Sequence, residues 1–199
     1  TQRLNTALLS IDQSSLDDLY KQIYRYINSQ NSIYIIGNGG SFANASHIAG
    51  DYLKTFAVGG MKLKISNPLD NSCFLTAASN DISFEDSYAL LFDSMFDKND
   101  LIIYLSGSGN SMNLVKCARL ANKIKGFYQV ALTAFTGGAL CKEVNLSIHC
   151  KIDDMEIAED MQLIIFHYIK QKLCQNQTLK LSHNLMPKYE KRTMDDLVS

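Results

Sequence analysis

The sequence predicts an α/β fold, a three-layer, doubly wound sheet of five parallel strands with an extra N-terminal helix in front of it. Three observations carry this. Short apolar runs alternate with longer stretches of helical periodicity, the pattern that yields crossover units and a parallel sheet covered on both faces. The runs at 33–36, 61–66, 101–105, 128–133 and 146–150 have strand length and the apolar content of buried strands. The first and third of them end in glycine- and serine-rich elbows that lead into helical patterns, and sheets of this kind bind ligands beyond the carboxyl ends of their strands.

Residues 15–27 place Leu16, Leu19, Tyr20, Ile23, Tyr24 and Ile27 at helical spacing behind a serine cap. That apolar stripe needs a partner, either the chain's own core or another subunit. The patterns at 42–56, 84–96, 112–124 and 156–173 read as helices, with 69–78 as a further one. Two prolines, Pro68 and Pro187, and the absence of a Gly/Ser linker predict a single domain over 1–174. Residues 175–199 are polar and charged and read as a tail or arm packed on its own domain or on a neighbouring subunit.

At 199 residues, 46% hydrophobic and 20% charged, the chain is long enough for one well-buried core and short for two. A net charge of -1 with both signs interspersed argues against a nucleic-acid partner. No apolar run approaches the ~18–20 residues of a membrane span, and the first residues lack a basic stretch followed by an apolar one. The expectation is a soluble, cytoplasmic protein without membrane contact. Five cysteines without Cys-x-x-Cys spacing argue against a disulfide framework or a cysteine-built zinc site, and read as reduced and mostly buried.

The first elbow is Gly37-Asn38-Gly39-Gly40-Ser41 and the second is Ser106-Gly107-Ser108-Gly109-Asn110-Ser111. Glycines let backbone approach a ligand, a helix start offers unpaired N–H groups, and serine hydroxyls donate to anionic oxygens, so the pair reads as a lysine-free phosphate cradle. Either loop alone is equally an ordinary strand-to-helix turn. Neither fits the Walker pattern or the full dinucleotide fingerprint, which sets nucleotides aside. His47 and Asp51, four apart on a helix, share a face and could share a metal, although such a pair is often a surface or capping feature. His149 and His183 read as core or surface histidines.

Three ordered motifs resemble the phosphoheptose isomerases, the sedoheptulose 7-phosphate isomerase branch of the SIS (sugar isomerase) proteins, whose sheet is flavodoxin-like. They are Ile-Ile-Gly-Asn-Gly-Gly-Ser at 35–41, Ala-Ser-Asn-Asp at 78–81 and Leu-Ser-Gly-Ser-Gly-Asn-Ser at 105–111. The likeness continues through Leu-Thr-Ala-Phe-Thr-Gly-Gly at 132–138 and covers roughly residues 15–173. It implies that Ser106, Gly107, Ser108 and Ser111 bind the phosphate, and that Asn38, Gly39, Gly40, Ser41, Asn80 and Asp81 hold the rest of the substrate. Gly107 departs from the usual threonine and loses a hydroxyl donor there.

The same resemblance implies zinc. The family's His, Glu, Gln and His positions correspond to His47, Asp51, Glu159 and His167, with Asp51 as base, His167 as opposing acid and ligand, and His47 and Glu159 as further ligands. Asp51 and Glu159 also fall among the implied substrate contacts. Glu159 and His167 are eight residues apart, ~12 Å along one helix, too far to share an ion from the same helix. Active sites between subunits of a homo-oligomer, a tetramer by resemblance, are therefore expected.

The implied reaction removes the proton alpha to a carbonyl, forms an enediol and returns a proton to the neighbouring carbon, with heptose passing to surface polysaccharide. Two other readings stand beside it. One is a same-fold isomerase or epimerase of another sugar phosphate. The other is a non-catalytic paralog that binds a protein such as a replication initiator.

Overall fold

Five parallel strands, β1 (Ser32–Gly37), β2 (Lys64–Ser66), β3 (Leu101–Ser106), β4 (Tyr128–Thr133) and β5 (Leu146–His149), lie in the order β2-β1-β3-β4-β5 in a computed structural model describing residues 2–176. From β1 the chain adds β2 on one side and then returns to the other side of β1 for β3. The strand order therefore reverses between β1 and β3, and their carboxyl ends open side by side, with Gly37 in register with Leu105.

Alternate residues of the strands feed two cores. Ile33, Ile35, Leu101, Ile103, Leu105, Val130, Leu132 and Ile148 face α1 (Gln2–Leu9), α2 (Gln13–Tyr26), α3 (Gly39–Val58) and α8 (Met155–Gln175). Tyr34, Ile36, Ile102, Tyr104 and Ala131 face the opposite layer, built from α6 (Met112–Ile124), α7 (Leu140–Glu143), α5 (Phe92–Met95) and the segment before it. Since successive side chains of a strand point to opposite faces, a strand covered on both sides must be apolar throughout. All six residues of β3 are buried.

Besides the short added helix α7, between β4 and β5, the element order differs from the sequence reading at four points. A short helix, α1, precedes the opening helix, so two helices rather than one stand before β1. The cap of α2 is Asp12, whose carboxylate accepts from the Ser14 N–H, and not a serine. β2 spans three residues rather than six.

The fourth difference is the expected helix over 84–96. It is broken into two 3-10 turns, Phe84–Asp86 and Ala89–Leu91, followed by α5. Ser83 caps the first of these turns by accepting from the Asp86 N–H and donating to its carboxylate, a local alternative to continuous helical bonds. The break tucks Tyr88, fully buried, beneath the end of β1. The last helix runs to Gln175, and residues 177–199, most of the expected tail, lie outside the described residues.

α3 and α8 lie against one another over one face of the sheet. Tyr52 on α3 is fully buried and donates to the Phe166 carbonyl on α8 at 2.7 Å, and Asn44 on α3 donates to the Glu159 carbonyl and the Gln162 side chain. This fixed seam sets the register of the polar residues on both helices.

Candidate active site

The turn after β1 and the turn after β3 meet at the strand-order reversal and enclose a cleft of about 270 Å³. Its walls bring together Asn38, Gly39, Gly40, Ser41, Ser106, Gly107, Ser108, Ser111 and Glu159, all singled out in the sequence, with Leu105 and Met155 added. α3 begins at Gly39, so Gly39, Gly40 and Ser41 are its first turn and not a loop ahead of it. The unpaired N–H groups of that turn and the partial positive charge of a 20-residue helix therefore open at the cleft.

The second turn is held by its own serines. Ser106 Oγ accepts from the Gly109 N–H at 3.1 Å, and Ser108 Oγ from the Asn110 N–H at 3.2 Å. Each bond uses a lone pair and leaves the hydroxyl proton free to donate to an anionic oxygen. Gly109 has φ +65°, and a Cβ there would lie 2.7 Å from the Gly137 carbonyl carbon, so the 132–138 segment supports this turn from behind through backbone contact. Ala134 N–H donates to the Gly107 carbonyl and Leu140 N–H to the Gly109 carbonyl.

Gly107, where the sequence reading expected a lost hydroxyl, has a structural counterpart. The space a side chain would take there is filled by the Met155 thioether from the start of α8. Glu159, one turn further along α8, sets its carboxylate against Gly40, at the positive end of α3. Asn38 exchanges two amide hydrogen bonds with Asn113, at 2.8 and 2.9 Å, so its side chain is turned to α6. Asn80 and Asp81 end α4 (Ser72–Asp81), bond to each other at 2.8 Å, are exposed, and line no wall of the cleft.

A second cluster lies further along the α3–α8 seam. His47 Nε2 and His167 Nε2, 120 residues apart in sequence, stand 3.3 Å apart, with Asp51 Oδ2 3.9 Å from His167 Nε2. The three donor atoms lie within 4.8 Å of one another. A tetrahedral zinc with Zn–N bonds of ~2.0–2.1 Å separates its nitrogen ligands by about 3.3 Å, so the two imidazoles stand at ligand spacing with a carboxylate beside them. These donors fit a zinc ion with at least one position left open.

Glu159 does not belong to this cluster within one chain. It sits two turns earlier on α8, against Gly40, so the four-residue set of the sequence reading is divided. Asp51 likewise lies away from the cleft, 11 residues or ~16 Å of helix beyond Gly40. Its Oδ2 is bonded to the Lys170 ammonium, a partner the sequence reading missed. Lys170 follows His167 by three residues and so shares its face of α8, a spacing that could have revealed it. Gln162 was also missed; it is buried and donates to Ser41 Oγ at 3.0 Å. His149 donates through Nε2 to the Phe135 carbonyl, and His183 lies outside the described residues.

Comparison with known proteins agrees with this fold. The model of the SIS domain matches residues 1–134. The chain belongs to the SIS domain family. Among SIS proteins, the phosphoheptose isomerase of Aneurinibacillus thermoaerophilus is 32% identical over 149 residues, 75% of this chain and 74% of that one. The phosphoheptose isomerase of Helicobacter pylori strain P12 is 26% identical, over 78% of this chain and 82% of the other. In structure, the phosphoheptose isomerase from Francisella tularensis superposes with a TM-score of 0.78 at 19% identity, covering 85% of this chain and 90% of that one. This kinship marks the chain as an isomerase on the phosphoheptose isomerase branch of the SIS family. No helix among the described residues is long and apolar enough to cross a membrane.

Proposed function

We propose that the chain interconverts sedoheptulose 7-phosphate and D-glycero-D-manno-heptose 7-phosphate through an enediol, in the cytoplasm, supplying heptose for surface polysaccharide. The observation that carries this reading is the cleft at the strand-order reversal, where two helix starts and four serines converge without a lysine. Such a site suits a phosphomonoester held by backbone N–H groups and hydroxyls.

The phosphate would be gripped by the first turn of α3 and by Ser106, Ser108 and Ser111. The sugar end requires a base, an acid and a group that polarises the carbonyl. Asp51 is the proposed base, and His167 the group that returns the proton. His47, His167 and Asp51 would hold zinc, with Glu159 contributed from elsewhere; bound there, the metal would supply Lewis-acid polarisation of the substrate oxygens.

Within one chain His47 lies seven residues, ~10 Å of helix, beyond Gly40, and Asp51 further still. A site that joins the cleft of one subunit to the cluster of another removes this separation, which supports a homotetramer with shared active sites. Met155 over Gly107 favours a second reading, in which the same chemistry acts on a differently shaped sugar phosphate.

The deciding experiment is an isomerisation assay with sedoheptulose 7-phosphate, with and without zinc, on the wild type, His167→Ala and Asp51→Asn. Metal-dependent turnover lost in both variants supports the reading. Binding without turnover turns the reading toward another sugar phosphate or toward the non-catalytic paralog. Mixing a Ser106→Ala/Ser108→Ala chain with a His167→Ala chain tests the shared site, since mixed oligomers regain activity when one subunit supplies the cleft and another the cluster.

A further inference from the structure

We propose that Lys170 is a built-in competitor for the metal: its ammonium holds Asp51 and lowers the affinity of the His47–His167 pair for a divalent cation. The inference rests on the reading of that cluster as a metal site.

The geometry sets the two cations against one another. His47 and Asp51 are one turn apart on α3, and His167 and Lys170 one turn apart on α8, so all four side chains project into one stretch of the seam. The imidazole nitrogens stand 3.3 Å apart and Asp51 Oδ2 3.9 Å from the nearer of them. That same oxygen is the one engaged by Lys170 Nζ. For Asp51 to coordinate a metal, either the bond to Lys170 is given up or the ammonium stays within a few ångströms of a dication.

The ammonium and the carboxylate are about one-fifth and one-quarter exposed, so solvent screens them less than a surface pair. Like charges that close repel substantially at any dielectric suited to a half-buried site. Lysine, with a compact charge on a flexible four-carbon stem, can swing out of the seam when a stronger cation arrives. The pair thus acts as a threshold. At low free metal Lys170 neutralises Asp51, and at higher concentration the metal displaces it. A simple inter-helix ion pair is the alternative, and it predicts no change in metal affinity when the lysine is removed.

The test is a zinc titration of the full-length protein against a chromophoric chelator, a readout independent of turnover. The proteins are the wild type, Lys170→Met, Lys170→Gln, Lys170→Arg, Lys170→Met/Asp51→Asn and His47→Ala. Lys170→Gln keeps a hydrogen-bond donor to Asp51 without the charge, so it serves if Lys170→Met folds poorly. Removing the charge in either variant is expected to tighten zinc binding by about tenfold or more, the scale on which groups touching a metal ligand act. Lys170→Arg, which keeps the charge, is expected to stay near wild type, and the gain is expected to vanish when Asp51 is also Asn.

Unchanged affinity in Lys170→Met and Lys170→Gln, with binding lost in His47→Ala, overturns the proposal and leaves the metal site standing. Zinc binding that ignores His47→Ala removes the metal site itself, and the proposal with it.

Discussion

The first turn of α3 can form a wall of the cleft only if the end of β1 is held in place, and one phenol does this. β2 pairs with β1 no further than Tyr34, so no strand on that side reaches Gly37. The Tyr88 hydroxyl takes over, donating to the Gly37 carbonyl at 2.6 Å and accepting from its N–H at 3.2 Å. Burial pushes this phenol well above its usual range, so it stays protonated and keeps donating. Tyr88→Phe preserves the ring and leaves two buried backbone groups without partners. Each such group costs ~1–3 kcal/mol, partly offset because the phenol oxygen no longer has to be buried, giving a net loss of about 2–4 kcal/mol.

With a urea m-value of roughly 2 kcal/mol/M, that loss lowers the unfolding midpoint by about 1–2 M without changing the slope. The Michaelis constant for the sugar phosphate is expected to rise several-fold, because Gly37 leads directly into Gly39 and Gly40. A stability change below about 0.5 kcal/mol would refute the reasoning, showing that Gly37 finds other partners without the hydroxyl.

Three further outcomes follow from the same physics. Gly109→Ala forces a side chain into a φ of +65° and against the Gly137 carbonyl carbon. A loss above about 2 kcal/mol in thermal unfolding, with weaker binding of inorganic phosphate, is expected, and an unchanged melting temperature would contradict it. Burial first, and the Asp100 charge second, push the Tyr26 phenol from 10.0 up to about 12. Its contribution is therefore complete below pH 10 and is lost as the pH rises from about 10 to about 12. Urea midpoints measured from pH 8 to 11 should fall more steeply for the wild type than for Tyr26→Phe, and parallel curves would count against this. Burial also pushes the thiols of Cys117 and Cys150 up to about 12 and about 11, whereas Cys73 is exposed. A thiol reagent at pH 8 should label Cys73 in the native protein and reach Cys117 only on unfolding, which mass mapping of the labelled peptides checks.

The strands were legible because a doubly covered strand needs an uninterrupted apolar run, as Leu101-Ile102-Ile103-Tyr104-Leu105 shows. The helix over 84–96 was not. Its apolar spacing fits a helix, but Ser83 and the demand of Gly37 for a partner override the periodicity, and neither is visible in a local window. The two glycine- and serine-rich turns could be read from composition, since glycine and serine after a strand are local requirements. What fills the space over Gly107 could not, because Met155 comes from a helix 48 positions later.

The sequence by itself determined the order of elements, the parallel sheet and the glycine and serine turns at its carboxyl edge, because periodicity, turn chemistry and helix starts act over a few residues. Only the tertiary structure decided how the polar residues of α3 and α8 meet. The packing of one helix on the other sets Glu159 against Gly40, His167 against His47 and Lys170 against Asp51. Such pairings depend on the rotation and axial offset of two helices, which the apolar contacts between them fix and which no spacing along either helix contains.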